Sequence, residues 1–426
     1  MLALVGIAFL ILLIAGLPIA FAMGSASVIG IVFKSDIPLT LIAQRMFEGL
    51  NSFTLLAIPF FILAGQLMEK GGISKRLVDF SYSVVGYIKG GLGMSSIMTS
   101  TIFAGISGSA AADTAAVGSV LIPAMKKKRY PIGLAATLQA CAGSLGTIIP
   151  PSMVMIIYGS ITGISIGALF MAGVIPGLLM ALGMMIVTYF YGAKYNLKEE
   201  GRPQLKQVWK TTKDAIWALI LPIVVIGGII TGFFTATEAG IIAVLYALFI
   251  GLFVYKEYRI KDIPKILQEA AANTSMALLI IAGAAILGWI VAYVQLPQTV
   301  IKFLASVTEN PLIIMLLIVI FIMIIGMFIE TIAATILVAP VLIPIYQQFG
   351  LDPVHFGFVM VAAFVFAGVT PPVGGILYIT ASIGRAKLKE MLPYLFPYVG
   401  VMLLVVILTI FIPQLATYVP SLFFDI

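Results

Sequence analysis

The chain has 426 residues, 62% of them hydrophobic and only 10% charged, with a mean hydropathy of +1.17. Soluble globular chains carry about 25% charged residues, so an ordinary soluble domain, a disordered scaffold and a nucleic-acid binder are excluded. The formal net charge of +7 fits the basic loops of a membrane protein instead. Cys141 is the one cysteine and forbids an internal disulfide; His355 is the one histidine and has no companions for a zinc site.

Apolar segments recur at 4–33, 50–68, 92–122, 131–158, 166–192, 215–233, 239–255, 271–294, 311–346, 354–380 and 393–413. Several reach the roughly 20 residues of a bilayer-spanning helix, and the length leaves room for about ten to twelve crossings. Segment 4–33 has no basic leader and no A-x-A cleavage site, so it is expected to stay as membrane helix. Its length fits one long tilted helix or two short ones, which leaves the side of the N-terminus open. The longest polar break, 193–214, is a charged link between two halves. Glu238, in "TATEAG", is expected to cap the helix that follows it.

Basic residues set the topology. Of the 24, 21 fall in five breaks: 70–89, 126–129, 194–213, 256–265 and 385–389. All five lie on one side, the cytoplasm, if 92–125 and 311–346 each enter and leave by the same face. Those two segments are then re-entrant hairpins from opposite sides, and the C-terminus is external. Lys34, Arg45 and Lys302 remain outside.

The halves also repeat. "VLIP" occurs at 120–123 and 341–344, "PP" at 150–151 and 371–372, and Thr114 matches Thr335, all at an offset of 221. Segments 34–49 and 255–270 pair as short amphipathic pieces that lie along opposite membrane faces. Opposed hairpins make the halves inverted, the pattern of a secondary transporter with its site at the midplane. The fold class expected is an all-α polytopic membrane protein with inverted repeats and two re-entrant helical hairpins.

The first hairpin carries Ser107, Gly108, Ser109, Asp113 and Thr114 around its turn. Such a turn leaves free carbonyls at one helix end, suited to a cation, and free N–H groups at the next helix start, suited to an anion. Asp113 is costly inside an apolar run without a purpose. The second hairpin turns near Gly326 to Thr331. Its Glu330 aligns with Ser109, and is open to binding a cation, holding a proton or capping a helix. "GSLGTIIPPSM" at 143–153 and "FAGVTPPVGG" at 366–375 each break a helix, because proline frees carbonyls. Ser144, Thr147, Ser152 and Thr370 add hydroxyls there. One turn plus one broken helix offers a Na⁺ ion several neutral oxygens, and this occurs twice. The first cation region comprises Ser107, Gly108, Ser109, Gly146, Thr147 and Pro150; the second, Gly326, Glu330, Gly368, Thr370 and Pro371. Substrate or coupling candidates are Ser107, Ser109, Asp113, Thr114, Ser144, Ser152 and Thr331. No transition-metal site, P-loop or catalytic motif is present.

These residues resemble the large membrane subunit of tripartite ATP-independent periplasmic (TRAP) transporters, the DctM-like family. The likeness runs through "GLPIAFAMG" (16–24), "AIPFFILAGQLMEKGGIS" (57–74), "FAGISGSAAADTAAVGSVLIPAM" (103–125), "GTIIPPS" (146–152), "TATEAG" (235–240) and "VTPPVGG" (369–375). It implies Na⁺-driven import of an organic acid, sialic acid or a C4-dicarboxylate among them, across a bacterial inner membrane. It implies a soluble periplasmic binding protein and a small four-helix membrane subunit, here a separate chain, as partners. It also implies an elevator. Its moving unit would be 92–190 and 311–395, and its scaffold 1–80 and 215–300. Residues 193–214 would form a cytoplasmic link and 396–426 a C-terminal helix. A standalone dicarboxylate- or citrate-type transporter is the alternative; an intramembrane enzyme is a weaker one, having too few catalytic groups.

Overall fold

The structure is a computed structural model and describes residues 1–34, 37–197, 205–372 and 374–424. The middle of the charged link, 198–204, lies outside the described residues. Every regular element among the described residues is helical. The first half holds α1 (Leu2–Ile14), α2 (Ile19–Lys34), α3 (Thr40–Leu50), α4 (Ala57–Lys70), α5 (Ile73–Val85), α6 (Gly91–Ser107), α7 (Ala110–Lys127), α8 (Ile132–Ser144), α9 (Met153–Thr162), α10 (Ile166–Ala172) and α11 (Val174–Lys194). The second holds α12 (Leu205–Ile230), α13 (Ala236–Phe249), α14 (Ile263–Tyr293), α15 (Leu296–Val307), α16 (Pro311–Gly326), α17 (Thr331–Gln348), α18 (Pro353–Gly368), α19 (Gly375–Gly384), α20 (Leu388–Phe411) and α21 (Gln414–Ser421).

Seven helical stretches among the described residues are long and apolar enough to cross a bilayer unaided: Phe53–Lys70, Ile166–Lys194, Leu205–Ile230, Ala236–Val254, Ile260–Tyr293, Thr331–Gln348 and Leu388–Phe411. The other apolar helices are shorter; α9 and α19 have 10 residues each, about 15 Å at 1.5 Å per residue. Ten residues span half of a hydrocarbon core, so such helices come in broken pairs. Large apolar side chains face outward, Ile14 at 87% and Phe233 at 80% exposure. In water that would be a sticky surface; in lipid it is the expected one.

Local chemistry sets the helix ends. Ser109, Ser152 and Ser165 cap α7, α9 and α10, their hydroxyls accepting from backbone N–H groups. Asn310 and Asp352 cap α16 and α18, each followed by proline at the first helical position. Thr235 and Glu238 form a reciprocal capping box at the start of α13. The Thr235 N–H and hydroxyl donate to the Glu238 carboxylate at 2.8 and 2.9 Å, as expected of a cap.

One open alternative is settled and one expectation changes. Segment 4–33 is two helices, broken at Gly16, which takes φ +86°, and Pro18. They pack as a hairpin: Val5 occupies the space beside Gly30. Segment 255–270 is no separate amphipathic piece. From Ile263 it runs unbroken into the 31-residue α14, because no breaker interrupts "KILQEAAANTSM" once Pro264 has started the helix.

The basic breaks meet in space. Arg76 pairs with Glu257 at 2.8 Å and Lys70 with Glu269 at 3.3 Å, joining the 70–89 break to the 256–269 stretch. The Gly90 N–H donates to the Leu197 carbonyl at 2.9 Å, and the Tyr195 and Tyr394 hydroxyls lie 3.0 Å apart. Ile132, just after the 126–129 cluster, packs on Gly384. A chain of contacts thus links all five.

Candidate functional site

The turn between α6 and α7 is two residues long. Gly108 sits in the left-handed region at φ +63° and ends α6; Ser109 is extended and starts α7. The break between α8 and α9 folds onto this turn. The Met153 N–H donates to the Gly108 carbonyl at 3.1 Å. A Cβ at Gly108 would lie 2.8 Å from the Pro151 carbonyl oxygen, and one at Gly146 would lie 3.0 Å from that of Ser109. Only residues without side chains allow so close a backbone approach. The second half also brings its turn against its break, through side chains: a Cβ at Gly368 would lie 2.8 Å from the Thr331 hydroxyl, and Ala367 fills the space beside Gly326. Pro150–Pro151 and Pro371–Pro372 are both cis.

A cavity of about 280 Å³ lies where the two turns and two breaks meet. Four helix starts line it: Ser109 to Ala111 of α7, Met153 and Val154 of α9, Glu330 to Ile332 of α17, and Gly374 to Ile376 before and in α19. Four terminal residues line it too: Gly108 after α6, Thr147 after α8, Gly326 of α16 and Gly368 of α18. Helix starts present N–H groups and partial positive charge; helix ends present carbonyls and partial negative charge. One cavity therefore offers anion-binding and cation-binding surfaces side by side. No lysine or arginine lines it among the described residues.

Of the residues singled out from sequence, Gly108, Ser109, Thr147, Gly326, Glu330, Thr331 and Gly368 line the cavity. The Thr147 hydroxyl donates to the Ser144 carbonyl at 2.9 Å. With its proton so used, its lone pairs stay available to a cation. Glu330 caps α17, one carboxylate oxygen accepting from the Ile332 and Ala333 N–H groups at 2.9 and 3.1 Å. It is exposed and opens onto the cavity.

The other candidates lie behind this lining. Ser107 packs its backbone on Gly65 of α4. Gly146 supports the first turn from behind. Ser144 donates to Cys141 and Thr370 to Phe366, both at 2.7 Å; Ser152 donates to the Thr147 carbonyl and caps α9. Pro150 and Pro371 hold the breaks without touching the cavity. Asp113 and Thr114 are fully buried one turn into α7, and among the described residues neither Asp113 oxygen nor the Thr114 hydroxyl has a hydrogen-bond partner. Sequence reading missed Ala111, Met153, Ile329 and Ile379 as lining, since apolar residues in apolar runs carry no signal. Glu330→Gln is expected to keep the cap and thermal stability, because an amide oxygen still accepts. Glu330→Ala should lose about 1 kcal/mol by calorimetry.

Half-length helices whose broken ends meet around an internal cavity, in a multi-pass bundle with an apolar exterior, define a membrane transport protein. The chain belongs to the DctM family: residues 6–415 match "Tripartite ATP-independent periplasmic transporter, DctM component". It is 36% identical to the sialic acid TRAP transporter large permease protein SiaM of Vibrio cholerae, covering 97% of this chain and 96% of that one. It is 36% identical to the 2,3-diketo-L-gulonate TRAP transporter large permease protein YiaN of Escherichia coli, with 94% of each covered. Among solved structures, the Alcanivorax borkumensis YdaH transporter shares the fold, with a TM-score of 0.58 at 15% identity over 89% of each chain. The chain is a multi-pass inner-membrane permease and not an enzyme.

Proposed function

We propose that this permease imports an organic anion together with Na⁺, by an elevator motion of the unit that holds the cavity. The observation that carries the reading is the ring of four helix starts and four helix ends around one cavity. The helix starts hold the acid. The carbonyls and hydroxyls at the helix ends, with Glu330, hold the cations. Glu330 adds a negative charge and no basic side chain among the described residues lines the cavity, so an anion enters favourably only with a co-bound cation. Na⁺ occupies one region at Ser107–Ser109 with Gly146–Pro150 and another at Gly326–Glu330 with Gly368–Pro371. Sialic acid and C4-dicarboxylates are the first substrates to try; the relatives named for 2,3-diketo-L-gulonate and for sialic acid are equally identical to this chain.

In this reading α6–α7 and α16–α17 are re-entrant hairpins of two inverted repeats. The moving unit comprises 92–190 and 311–395, and the scaffold 1–80 and 215–300. The link 193–214 is cytoplasmic and 396–426 forms the C-terminal part. A soluble periplasmic binding protein delivers the substrate, and a small four-helix membrane subunit completes the permease. Omission tests the assembly: in liposomes, uptake is expected only when the binding protein and both membrane subunits are present. Uptake by this chain alone would establish the standalone dicarboxylate-type reading instead.

A further inference from the structure

The four helices whose starts line the cavity, α7, α9, α17 and α19, all finish at their far ends on a left-handed residue. Gly163 follows α9 at φ +75° and Arg385 follows α19 at φ +53°; Gly350 stands two residues after α17 at φ +62° and Arg129 two residues after α7 at φ +63°. These positions pair between the halves. Arg129 and Gly350 are 221 residues apart, the offset at which "VLIP" and "PP" recur. Gly163 and Arg385 are 222 apart, each directly after a 10-residue helix that follows a proline pair. Glycine adopts this conformation freely, whereas a Cβ crowds it. In each pair, then, one half uses the unstrained residue and the other an arginine. Backbone geometry alone does not call for arginine at either place.

Both arginines emerge at the same end of the bundle. Gly384, just before Arg385, packs against Ile122 of α7 and Ile132 of α8, and Gly133 of α8 lies against the Glu390 carbonyl of α20. The breaks 126–129 and 385–389 are therefore neighbours, and their seven basic residues are all exposed. The adjoining acid, Glu390, is taken up as a cap, its carboxylate accepting from the Lys387 N–H at 2.9 Å. Among the described residues none of Lys126, Lys127, Arg129, Arg385, Lys387 and Lys389 forms an ion pair. The 70–89 break differs, since Lys70 and Arg76 are answered by Glu269 and Glu257. Lysines in the two breaks already supply the positive charge that orients a membrane chain. A helix end attracts any cation, so it does not explain arginine over lysine either. What arginine adds is its planar fork, which matches phosphate with two parallel N–H donors.

We propose that this end of the bundle binds anionic phospholipid of the cytoplasmic leaflet, with Arg129 and Arg385 holding headgroup phosphate and the flanking lysines adding attraction. The ends of membrane-crossing segments lie at headgroup depth. There the cytoplasmic leaflet is negatively charged, and each nearby base strengthens binding. The inference rests on the orientation that puts these breaks at the cytoplasm, and is otherwise independent of what the permease carries. In the proposed elevator these helix ends belong to the moving unit, so bound lipid ties its inner end to the plane of the leaflet.

The test follows the thermal midpoint of the full chain, purified with its small membrane subunit in uncharged detergent, as dioleoyl-phosphatidylglycerol or dioleoyl-phosphatidylcholine is added. The anionic lipid is expected to raise the midpoint saturably, and phosphatidylcholine to leave it unchanged. Arg129→Gly and Arg385→Gly should each raise the half-saturating phosphatidylglycerol concentration about fivefold, the size of one base at an anionic surface. The lipid-free midpoint should hold or rise, because left-handed strain is relieved. Arg129→Asn, which also accepts this conformation, keeps the test usable if the glycine variant folds poorly. Lys302→Gln, outside the five breaks, should leave the lipid response unchanged. A fall in the lipid-free midpoint with half-saturation unmoved would overturn the inference and make the arginines helix-end caps. An equal shift from phosphatidylcholine, or from inorganic phosphate, would also overturn it, the latter in favour of a soluble anion. Labelling of Lys127→Cys in Cys141→Ala protein from the outer side of intact cells would overturn the orientation, and is distinguishable because the detergent measurement does not depend on it.

Discussion

Replacing Gly108 by alanine is expected to abolish uptake, whereas the same change at Gly350 is expected to be tolerated. Both glycines have positive φ, +63° and +62°, so both substitutions incur the roughly 1–2 kcal/mol of a left-handed L-residue. They differ in surroundings. Around Gly350 a Cβ meets nothing within 4 Å, while at Gly108 it meets the Pro151 carbonyl at 2.8 Å and the Met153 nitrogen at 3.5 Å. The carbonyl is backbone and cannot rotate away. Relief requires the turn to move off the break, which lengthens the 3.1 Å bond from Met153 to Gly108 and opens the cavity wall. Uptake should fall by about a hundredfold or more, the effect of misplacing binding groups by an ångström, while Gly350→Ala stays within twofold. Purified yield and thermal midpoint separate a lost fold from a lost site.

Locking the two proposed units together is expected to stop transport reversibly. The Thr54 hydroxyl, just before α4, lies 2.6 Å from that of Ser160 on α9, and Ser52 lies 3.3 Å from the same atom. Thr54 belongs to the proposed scaffold and Ser160 to the moving unit. Side chains in such close contact make the pair a candidate for a disulfide, whose Cβ atoms lie about 3.5–4.5 Å apart. Cys141 is buried, and Cys141→Ala removes it as a competitor. In that background Thr54→Cys with Ser160→Cys should transport when reduced, lose about nine-tenths of its uptake on oxidation, and recover with reductant, since a domain motion cannot proceed across a covalent bond. Full activity in quantitatively cross-linked protein would mean that α9 does not move against the α4 region during transport.

Much of this was legible in the sequence for identifiable reasons. Proline pairs beside glycines break helices whatever surrounds them, so the breaks at 143–153 and 366–375 were visible as letters. Gly108 followed by Ser109 combines a helix-ending residue with a helix-starting one. Glu238 stood beside Thr235 in the spacing of a capping box. What lay hidden depends on tertiary placement. Four helix starts facing one cavity cannot be read from any single helix. The long α14 was misjudged because its polar first turns resemble a surface piece, although nothing in them ends a helix. Asp113 was singled out for its cost in an apolar run, but its position behind the cavity lining emerged only from packing.

The central claim is that cation binding at this cavity drives accumulation of an organic anion. It is tested most directly by measuring accumulation in liposomes that hold both membrane subunits, with the binding protein outside and the membrane potential clamped. An inward Na⁺ gradient should raise the internal acid above its external concentration, and equal Na⁺ on both sides should yield equilibration alone. Accumulation that persists without Na⁺ and follows an imposed proton gradient would contradict the account.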